Sequence, residues 1–225
     1  MTEGGAGSPG TGSPSAVEGL FFAGCCYALF VALGALAAWE KEPGRIDLAL
    51  LQAATLLLPT ILWARLGGFT REALPARPLS LPSLFESTAA AASASLAALA
   101  AGVLLVGLLG TRPEDEIMGR YILDTPPAAR FLLFALVPAC CEEVLFRGGV
   151  LHAMRRWGTT AACLANGAAF AAFHGSLIRF LPMWILGSGL AFIVRRTGNL
   201  YLAVVFHLLH NALILLAMGQ AASMG

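Results

Sequence analysis

The sequence AARFLLFALVPACCEEVLFRGGVLHAM, residues 128–154, is apolar over a length that can cross a bilayer, yet it carries charged groups near its middle. A transmembrane helix needs about 20 residues. The charged groups are Glu142, Glu143 and Arg147. Ionisable side chains at such a depth are costly unless they are paired or used. This segment therefore predicts a membrane helix that carries a functional site.

The rest of the chain also has the composition of a membrane protein. Of its 225 residues, 58% are apolar and 12% are charged, and the mean hydropathy is +0.77. Soluble domains carry about 25% charged residues. We predict an all-α, polytopic membrane helix bundle with about seven transmembrane helices, a count left open between six and eight. The apolar stretches are residues 20–39, 47–64, 84–109, 128–154, 159–178, 181–194 and 200–218.

The chain divides into two parts. Residues 1–18 are rich in Gly, Ser and Pro and contain no Lys or Arg, which predicts a disordered tail rather than a signal peptide. Residues 19–219 form the single predicted transmembrane domain, with the chemical motifs in 128–218. The net charge of +1 and the scattered basic residues exclude a nucleic-acid partner. The five cysteines show no spacing typical of zinc sites or disulfide frameworks.

The loops give a weak signal of orientation. Seven spans place seven arginines on one side and six basic residues on the other. The first side has few acids and includes the pairs Arg155-Arg156 and Arg195-Arg196, so we predict that it is cytoplasmic, with the N-terminus inside. The expected location is the inner (cytoplasmic) membrane. The Ala/Gly/Arg-rich, Lys-poor composition favours a bacterial source.

The two adjacent glutamates differ in their helical partners. Arg147 follows Glu143 by four residues, so the two can form an ion pair on one helix face. Glu142 is rotated from Glu143 by about 100° and has no such partner. We therefore interpret Glu143 with Arg147 as a scaffold and Glu142 as free for proton chemistry. A purely structural role for both carboxylates is the alternative.

Two further motifs carry polar side chains into apolar spans. Phe170 precedes His174 by one turn on the same face, and His207 and Asn211 project together at positions i and i+4. Two donors on one face can hold an oxyanion. The alternative roles are packing for His174 and hydrogen bonding between helices for His207 and Asn211. His210, on a neighbouring face, is left without a role.

The depths of these residues agree. At ~1.5 Å per residue from the Arg-Arg loops, Glu142, His207 and Asn211 lie roughly 17 to 22 Å deep. His174 reaches a similar depth if its helix starts near Thr159, where a hydroxyl can cap it. A shared depth favours one site built from three spans.

The ordered motifs Glu142-Glu143-x-x-x-Arg147, Phe170-x-x-x-His174 and His207-x-x-x-Asn211 resemble those of the CPBP (also called ABI) family of intramembrane proteases. That family includes the type II CAAX prenyl endopeptidases and bacteriocin-processing enzymes. The resemblance covers about residues 128–218. With the bacterial composition, it favours a processing peptidase similar to the myxosortases, which trim C-terminal sorting tails, over a prenyl-protein enzyme.

The residue types and the resemblance together predict an intramembrane endopeptidase of the glutamic type, or of the metallo type if a metal binds. Glu142 is the expected general base, and His174 helps to bind and orient the water. His207 and Asn211 are expected to stabilise the oxyanion, as the resemblance also implies. The expected partners are a membrane-associated protein or peptide substrate and the lipid bilayer.

No cofactor is expected. No HExxH motif is present, which excludes an ordinary zincin. Glu142, His174 and His207 could still ligate a divalent metal such as zinc, but a metal-free water is favoured. The rival functions are a transporter or proton relay and a bacteriocin-immunity-type binding protein. Paired half-helices or a repeat, typical of transporters, are absent from the sequence.

Overall fold

The computed structural model describes residues 14–39, 45–111 and 113–224. These residues form no strand, only one isolated bridge between Ala76 and Asn199, so the predicted all-α bundle is confirmed. The helices of the described residues are α1 (Ala16–Trp39), α2 (residues 45–66), α3 (Thr70–Ala73), α4 (Leu81–Leu109), α5 (Pro113–Asp124), α6 (residues 127–153), α7 (Thr159–Phe173), α8 (Leu177–Thr197) and α9 (Leu200–Met224).

Each of the seven predicted apolar stretches lies largely within one of these helices. Five segments are long and apolar enough to cross a membrane: Ala16–Leu36, Leu48–Leu66, Leu81–Leu109, Leu177–Thr197 and Leu200–Ser223. Of the two helices that hold the remaining predicted stretches, α7 has only 15 residues, and α6 carries Glu142, Glu143 and Arg147 in addition to Arg130 near its start. The protein is therefore a multi-pass membrane protein.

The first helix begins earlier than expected. Helix α1 starts at Ala16, so residues 16–18, assigned by sequence to the disordered tail, are helical. The Ser15 N–H donates to Glu18 Oε2 at 2.6 Å, and the Glu18 N–H donates to Ser15 Oγ at 3.3 Å. This reciprocal pair caps the helix. Residues 1–13 of the predicted tail lie outside the described residues.

The boundary between α7 and α8 was also predicted wrongly. Helix α7 starts at Thr159, as expected, but it ends at Phe173, which leaves His174 as its C-cap residue rather than inside a span to residue 178. Gly175 follows in a left-handed conformation with φ of 62°. Ser176 then caps α8, which begins at Leu177 and not at residue 181, where the predicted stretch starts. The end of α7 therefore places His174 at a helix terminus.

Two internal prolines are accommodated by wide helical turns. The π-helical segments Ala53–Leu57 and Leu132–Leu136 lie just before Pro59 and Pro138. Proline lacks an N–H and crowds the carbonyl four residues earlier, and a wider turn relieves that crowding. Both apolar runs therefore continue through their prolines, as predicted.

Helix α6 is the centre of the bundle. Its side chains Ala135, Ala139, Leu145, Phe146 and Val150 are fully buried. Helices α1, α2, α7, α8 and α9 pack around it. The polar groups of α6 are thereby enclosed by protein rather than by lipid.

Helices α7 and α8 cross at a pair of glycines. A Cβ on Gly167 would meet the backbone N of Ser188 at 2.7 Å, and a Cβ on Gly187 would meet the Cα of Gly167 at 3.1 Å. Small residues allow this close approach in membrane bundles. The crossing brings the backbone of α8, including the carbonyl of Gly187, towards α6.

Candidate active site

A buried polar cluster joins α6 to α9 through Glu143. Its Oε1 accepts a hydrogen bond from Arg147 NH1 at 2.9 Å and another from His207 Nδ1 at 2.8 Å. Glu143, Arg147 and His207 are 0%, 1% and 3% exposed. The Arg147 NH2 group also donates to the Gly187 carbonyl at 2.9 Å. The guanidinium is therefore held by a carboxylate of its own helix and by the backbone of α8.

Glu142 lies on the other side of His207. Its Oε2 is 3.9 Å from His207 Nε2, and its side chain is 12% exposed. That distance is too long for a direct hydrogen bond. It is short enough for both atoms to contact the same small group. Because Nδ1 donates to Glu143, Nε2 is the nitrogen of His207 that faces Glu142.

His174 is oriented by its own helix end. Its Nδ1 lies 2.9 Å from the Phe170 carbonyl, which accepts the bond. The donor role at Nδ1 leaves Nε2 as the nitrogen available to water or substrate. The residue is half-buried, and its ring interacts electrostatically with Glu142 and His207. The C-cap position therefore provides a fixed ring with one nitrogen free.

The ring of Phe170 contacts His174, His207 and Arg147 at once. Its fully buried ring packs edge-on against His174 at 4.8 Å and His207 at 5.6 Å between centroids. The Arg147 Cζ lies 4.5 Å from its centroid, a cation–π distance. The residue that sequence analysis placed beside His174 is thus the apolar wall shared by both histidines and the ion pair.

The third motif is divided by the structure. His207 belongs to the cluster, whereas Asn211, one turn later, is half-buried and its side chain bonds to no described residue. His210, which sequence analysis left without a role, is 2% exposed, and neither ring nitrogen bonds to a described group. The structure therefore brings Glu142, Glu143, Arg147, Phe170, His174 and His207 together and adds no contact that places Asn211 with them.

Sequence reasoning missed the bond between Glu143 and His207. It assigned Glu143 to Arg147 alone, although a carboxylate can accept several donors. It also missed Gly187, whose carbonyl is an acceptor of Arg147, and Asn166, whose Nδ2 donates to the Phe146 carbonyl at 2.8 Å. The sequence signals were the glycines of the α7–α8 crossing and an asparagine inside an apolar span.

Three side chains were considered as ligands of a metal: Glu142, His174 and His207. Each histidine has one ring nitrogen that is not hydrogen-bonded to a described residue. Nδ1 of His207 and Nδ1 of His174 are engaged, which leaves both Nε2 atoms and the Glu142 carboxylate. In the part of the chain that the structure describes, no three His, Cys, Asp or Glu side chains are grouped with the spacing of a metal site. The described geometry therefore supplies the donor types but not a formed ligand shell.

The fold and this cluster define a polytopic membrane protein with a polar site inside its helical bundle. Residues 124–213 match the family model of the type II CAAX prenyl endopeptidases, described as Rce1-like. The match confirms the family resemblance of the three motifs and supports CAAX-type intramembrane protease activity. It extends from the end of α5 into α9 and contains every residue of the cluster. No curated protein and no solved structure matches the chain.

Proposed function

We propose that the protein is an intramembrane endopeptidase that hydrolyses a peptide bond of a membrane-associated protein or peptide with a water activated by Glu142. The observation that carries this proposal is the difference between two adjacent carboxylates. Glu143 Oε1 accepts from both Arg147 and His207, whereas Glu142 makes no hydrogen bond to a described side chain and is partly exposed. A base must be reachable by the water from which it takes a proton.

The reaction uses Glu142 twice. As base it takes a proton from water while the water oxygen attacks the carbonyl carbon of the substrate. The same carboxyl then gives the proton to the amide nitrogen as the C–N bond breaks, which releases the amine and restores the carboxylate. His174 Nε2 provides a second contact for the water, because its Nδ1 is already used by the Phe170 carbonyl.

His207 is the proposed donor to the oxyanion. With Nδ1–H bonded to Glu143, its Nε2 donates as well in the imidazolium form. In that form His207, like Arg147, places a positive charge beside the carboxylates of Glu142 and Glu143, and ionised groups in a low-dielectric interior are costly unless such partners pair them. Glu143 acts here as a positioning residue, because it fixes the ring through Nδ1.

Asn211 is the proposed second donor. It lies one turn after His207, and its side-chain amide is not engaged by any described residue. An amide N–H positioned at the developing negative charge lowers the barrier only when it is aligned before the reaction. The proposal requires no metal or other cofactor.

The test is cleavage by the full chain, purified in detergent, of two fluorogenic probes. One is a farnesylated peptide ending in a CAAX sequence, and the other is an unprenylated peptide with a hydrophobic membrane anchor. Glu142→Gln should lower turnover of the cleaved probe at least a hundredfold, because the amide keeps the shape but accepts no proton. Its thermal unfolding temperature should stay near that of wild type.

Glu116→Gln is the matched control. Glu116 is exposed and bonds to Thr111 at 2.8 Å, far along the chain from the cluster. It should leave turnover and unfolding unchanged. Turnover of Glu142→Gln within tenfold of wild type would contradict the role of Glu142 as base. The probe that is cleaved distinguishes a prenyl-protein substrate from a sorting-tail type of substrate.

A further inference from the structure

Arginines at helix ends and in the segments between helices converge on one cavity at an end of the bundle. The cavity has a volume of about 810 Å³ and lies between the segment after α3, the end of α6 and the end of α8. Six arginines line it: the buried Arg147 of the polar cluster, and Arg71, Arg77, Arg155, Arg195 and Arg196. We name it the arginine pocket. It lies at the end of the bundle that the loop charges predict as cytoplasmic.

The backbone around the arginine pocket is tied together. The Arg195 NH2 group donates to the Trp157 carbonyl at 2.8 Å, and Asn199 Nδ2 donates to the Arg77 carbonyl at 2.9 Å. Gly198 has a φ of 63°, and a Cβ there would meet Arg77 Cδ at 2.6 Å. The segments that carry the arginines are therefore fixed relative to one another.

Positive charge exceeds negative charge in this pocket. Arg71 and Arg77 are exposed, and their side chains form no ion pair with a described residue. Glu72 is the acid of the lining, and Glu86 of α4 pairs with Arg196 at 3.3 Å. The lining therefore holds one carboxylate and six guanidinium groups, of which Arg147 and Arg196 pair with glutamates outside it. A guanidinium binds a phosphate through two parallel hydrogen bonds, so an anion with phosphate oxygens fits this lining.

A second cavity continues from the arginine pocket along the outside of the bundle. It has a volume of about 800 Å³ and shares Thr159, Arg195 and Arg196 with the pocket. Its other walls are Phe85, Ala89 and Glu86 of α4, the last of which pairs with Arg196, and Phe192 of α8. Phe85 is 78% exposed and Phe192 is 45% exposed. We name it the apolar groove, because it runs from the arginines onto the surface that faces lipid.

We propose that the arginine pocket and the apolar groove together bind one anionic phospholipid of the bilayer. The phosphate lies among Arg71, Arg77 and Arg195, and an acyl chain lies along Phe85 and Phe192. Basic pockets between membrane helices on the cytoplasmic side suit such headgroups. The apolar continuation distinguishes this occupant from a free phosphate, which has nothing to place in the groove. The half-exposed Trp157 near the pocket matches the aromatic residues found at membrane interfaces.

Native mass spectrometry of the full chain in detergent tests this proposal. The protein is titrated with an equimolar mixture of dioleoyl phosphatidylglycerol and dioleoyl phosphatidylcholine, and the retained lipids are counted. One phosphatidylglycerol per chain should be retained at least fivefold more than phosphatidylcholine. Each arginine removed should weaken retention about fivefold, so the double variant Arg71→Gln, Arg77→Gln should lose about 25-fold.

Two matched controls separate the site from general charge and apolarity. Arg120→Gln removes an exposed arginine of α5 and should leave retention unchanged. Phe85→Ala should weaken retention, whereas Phe21→Ala, an exposed phenylalanine of α1 outside the groove, should not. Folding of each variant is checked by thermal unfolding. Because none of these residues belongs to the polar cluster, the result is independent of the protease proposal.

Three outcomes would overturn the proposal. One is equal retention of the two lipids, and another is retention that the double arginine variant does not change. The third is displacement of phosphatidylglycerol by millimolar inorganic phosphate with no effect of Phe85→Ala, which would show a small-anion site alone.

Discussion

Helices α4 and α8 are similar in hydropathy, but they lie in different surroundings. In the most apolar 18-residue segment of α4, the mean hydropathy is 2.2 and 6% of the residues are buried. In that of α8, the mean hydropathy is 1.9 and 39% of the residues are buried. The buried residues of α4 are Ser87, Ala91 and Ala98, and most of its larger apolar side chains are exposed on the surface of the bundle. Apolarity alone therefore identifies a span but not its neighbours.

The two helices differ in the contacts that their small and polar residues make. Gly187 of α8 allows contact with α7 and presents its carbonyl to Arg147. Glu86 of α4, in contrast, pairs with Arg196 where both side chains are more than half exposed. The family match covers α8 and the polar cluster but not α4. The family match thus covers the more buried of the two helices.

The two arginine–glutamate pairs give the largest expected difference. Arg147→Met should destabilise the fold by about 3 to 5 kcal/mol, because it removes the guanidinium that pairs with Glu143 in the interior and leaves His207 as the remaining partner of that carboxylate. Arg196→Met removes the exposed pair with Glu86 and should cost at most about 1 kcal/mol. Unfolding in mixed detergent and SDS measures both free energies. Equal losses would mean that the interior pair is solvated as well as the surface pair.

The oxyanion assignment predicts the next effect, on rate rather than stability. Asn211→Ala should lower kcat about a hundred- to a thousandfold, roughly 3 to 4 kcal/mol, with little change in KM. Gln220→Ala, an exposed amide on the same helix, is the control and should be silent.

His210→Ala should be mild in kcat, because His210 lies on a neighbouring face of α9. A large loss in His210→Ala with normal turnover in Asn211→Ala would show that the reactive face of α9 is rotated. Steady-state kinetics on the cleaved fluorogenic probe decides between these results. A tenfold or smaller effect at Asn211 would leave interhelical packing as its role.

Glycine-to-alanine substitutions in the two regions should change the free energy of unfolding by smaller amounts and in opposite directions. Gly167→Ala places a Cβ against the backbone of Ser188 and should destabilise the protein by about 1 to 3 kcal/mol. In Gly107→Ala of α4, nothing lies within 4 Å of the added Cβ, and the better helix propensity should stabilise by up to about 1 kcal/mol. Unfolding in SDS measures both. Destabilisation by Gly107→Ala would indicate a packing partner on the lipid-facing side.

The helices were predicted well because each is determined by its own local sequence. An apolar run of sufficient length must form its hydrogen bonds internally in a bilayer, so its conformation does not depend on its neighbours. Pro59 and Pro138 show the same point, since wide turns within one helix absorb them. The error at the end of α7 was also local. Gly175 and Ser176 carry the signals of a helix end and a helix start, and they were outweighed by the apolar run.

The contacts of the site were predicted less completely because they join distant parts of the chain. The pair Glu143–Arg147 follows from spacing within one helix, and the structure contains it. The bond from His207 to Glu143 spans 64 residues, and no spacing rule selects Glu143 over Glu142 as its acceptor. That choice depends on the rotation of α9 against α6, which packing of the whole bundle sets. Asn211 remains a prediction for the same reason.

The smallest expected effect is that of metal removal. Glu142, with the oriented rings of His174 and His207, supplies a base and a donor without a Lewis acid, so turnover should change less than twofold after dialysis against EDTA. Treatment with 1,10-phenanthroline, compared with its non-chelating 1,7 isomer, controls for effects of the reagent itself. Elemental analysis of the active protein should find zinc far below one per chain. Stoichiometric zinc, together with loss of turnover on stripping and recovery on zinc addition, would contradict the metal-free water. In that case the first residues to substitute are Glu142, His174 and His207, whose carboxylate and Nε2 atoms would be the ligands. The buried polar residues would then serve metal binding as well as charge pairing.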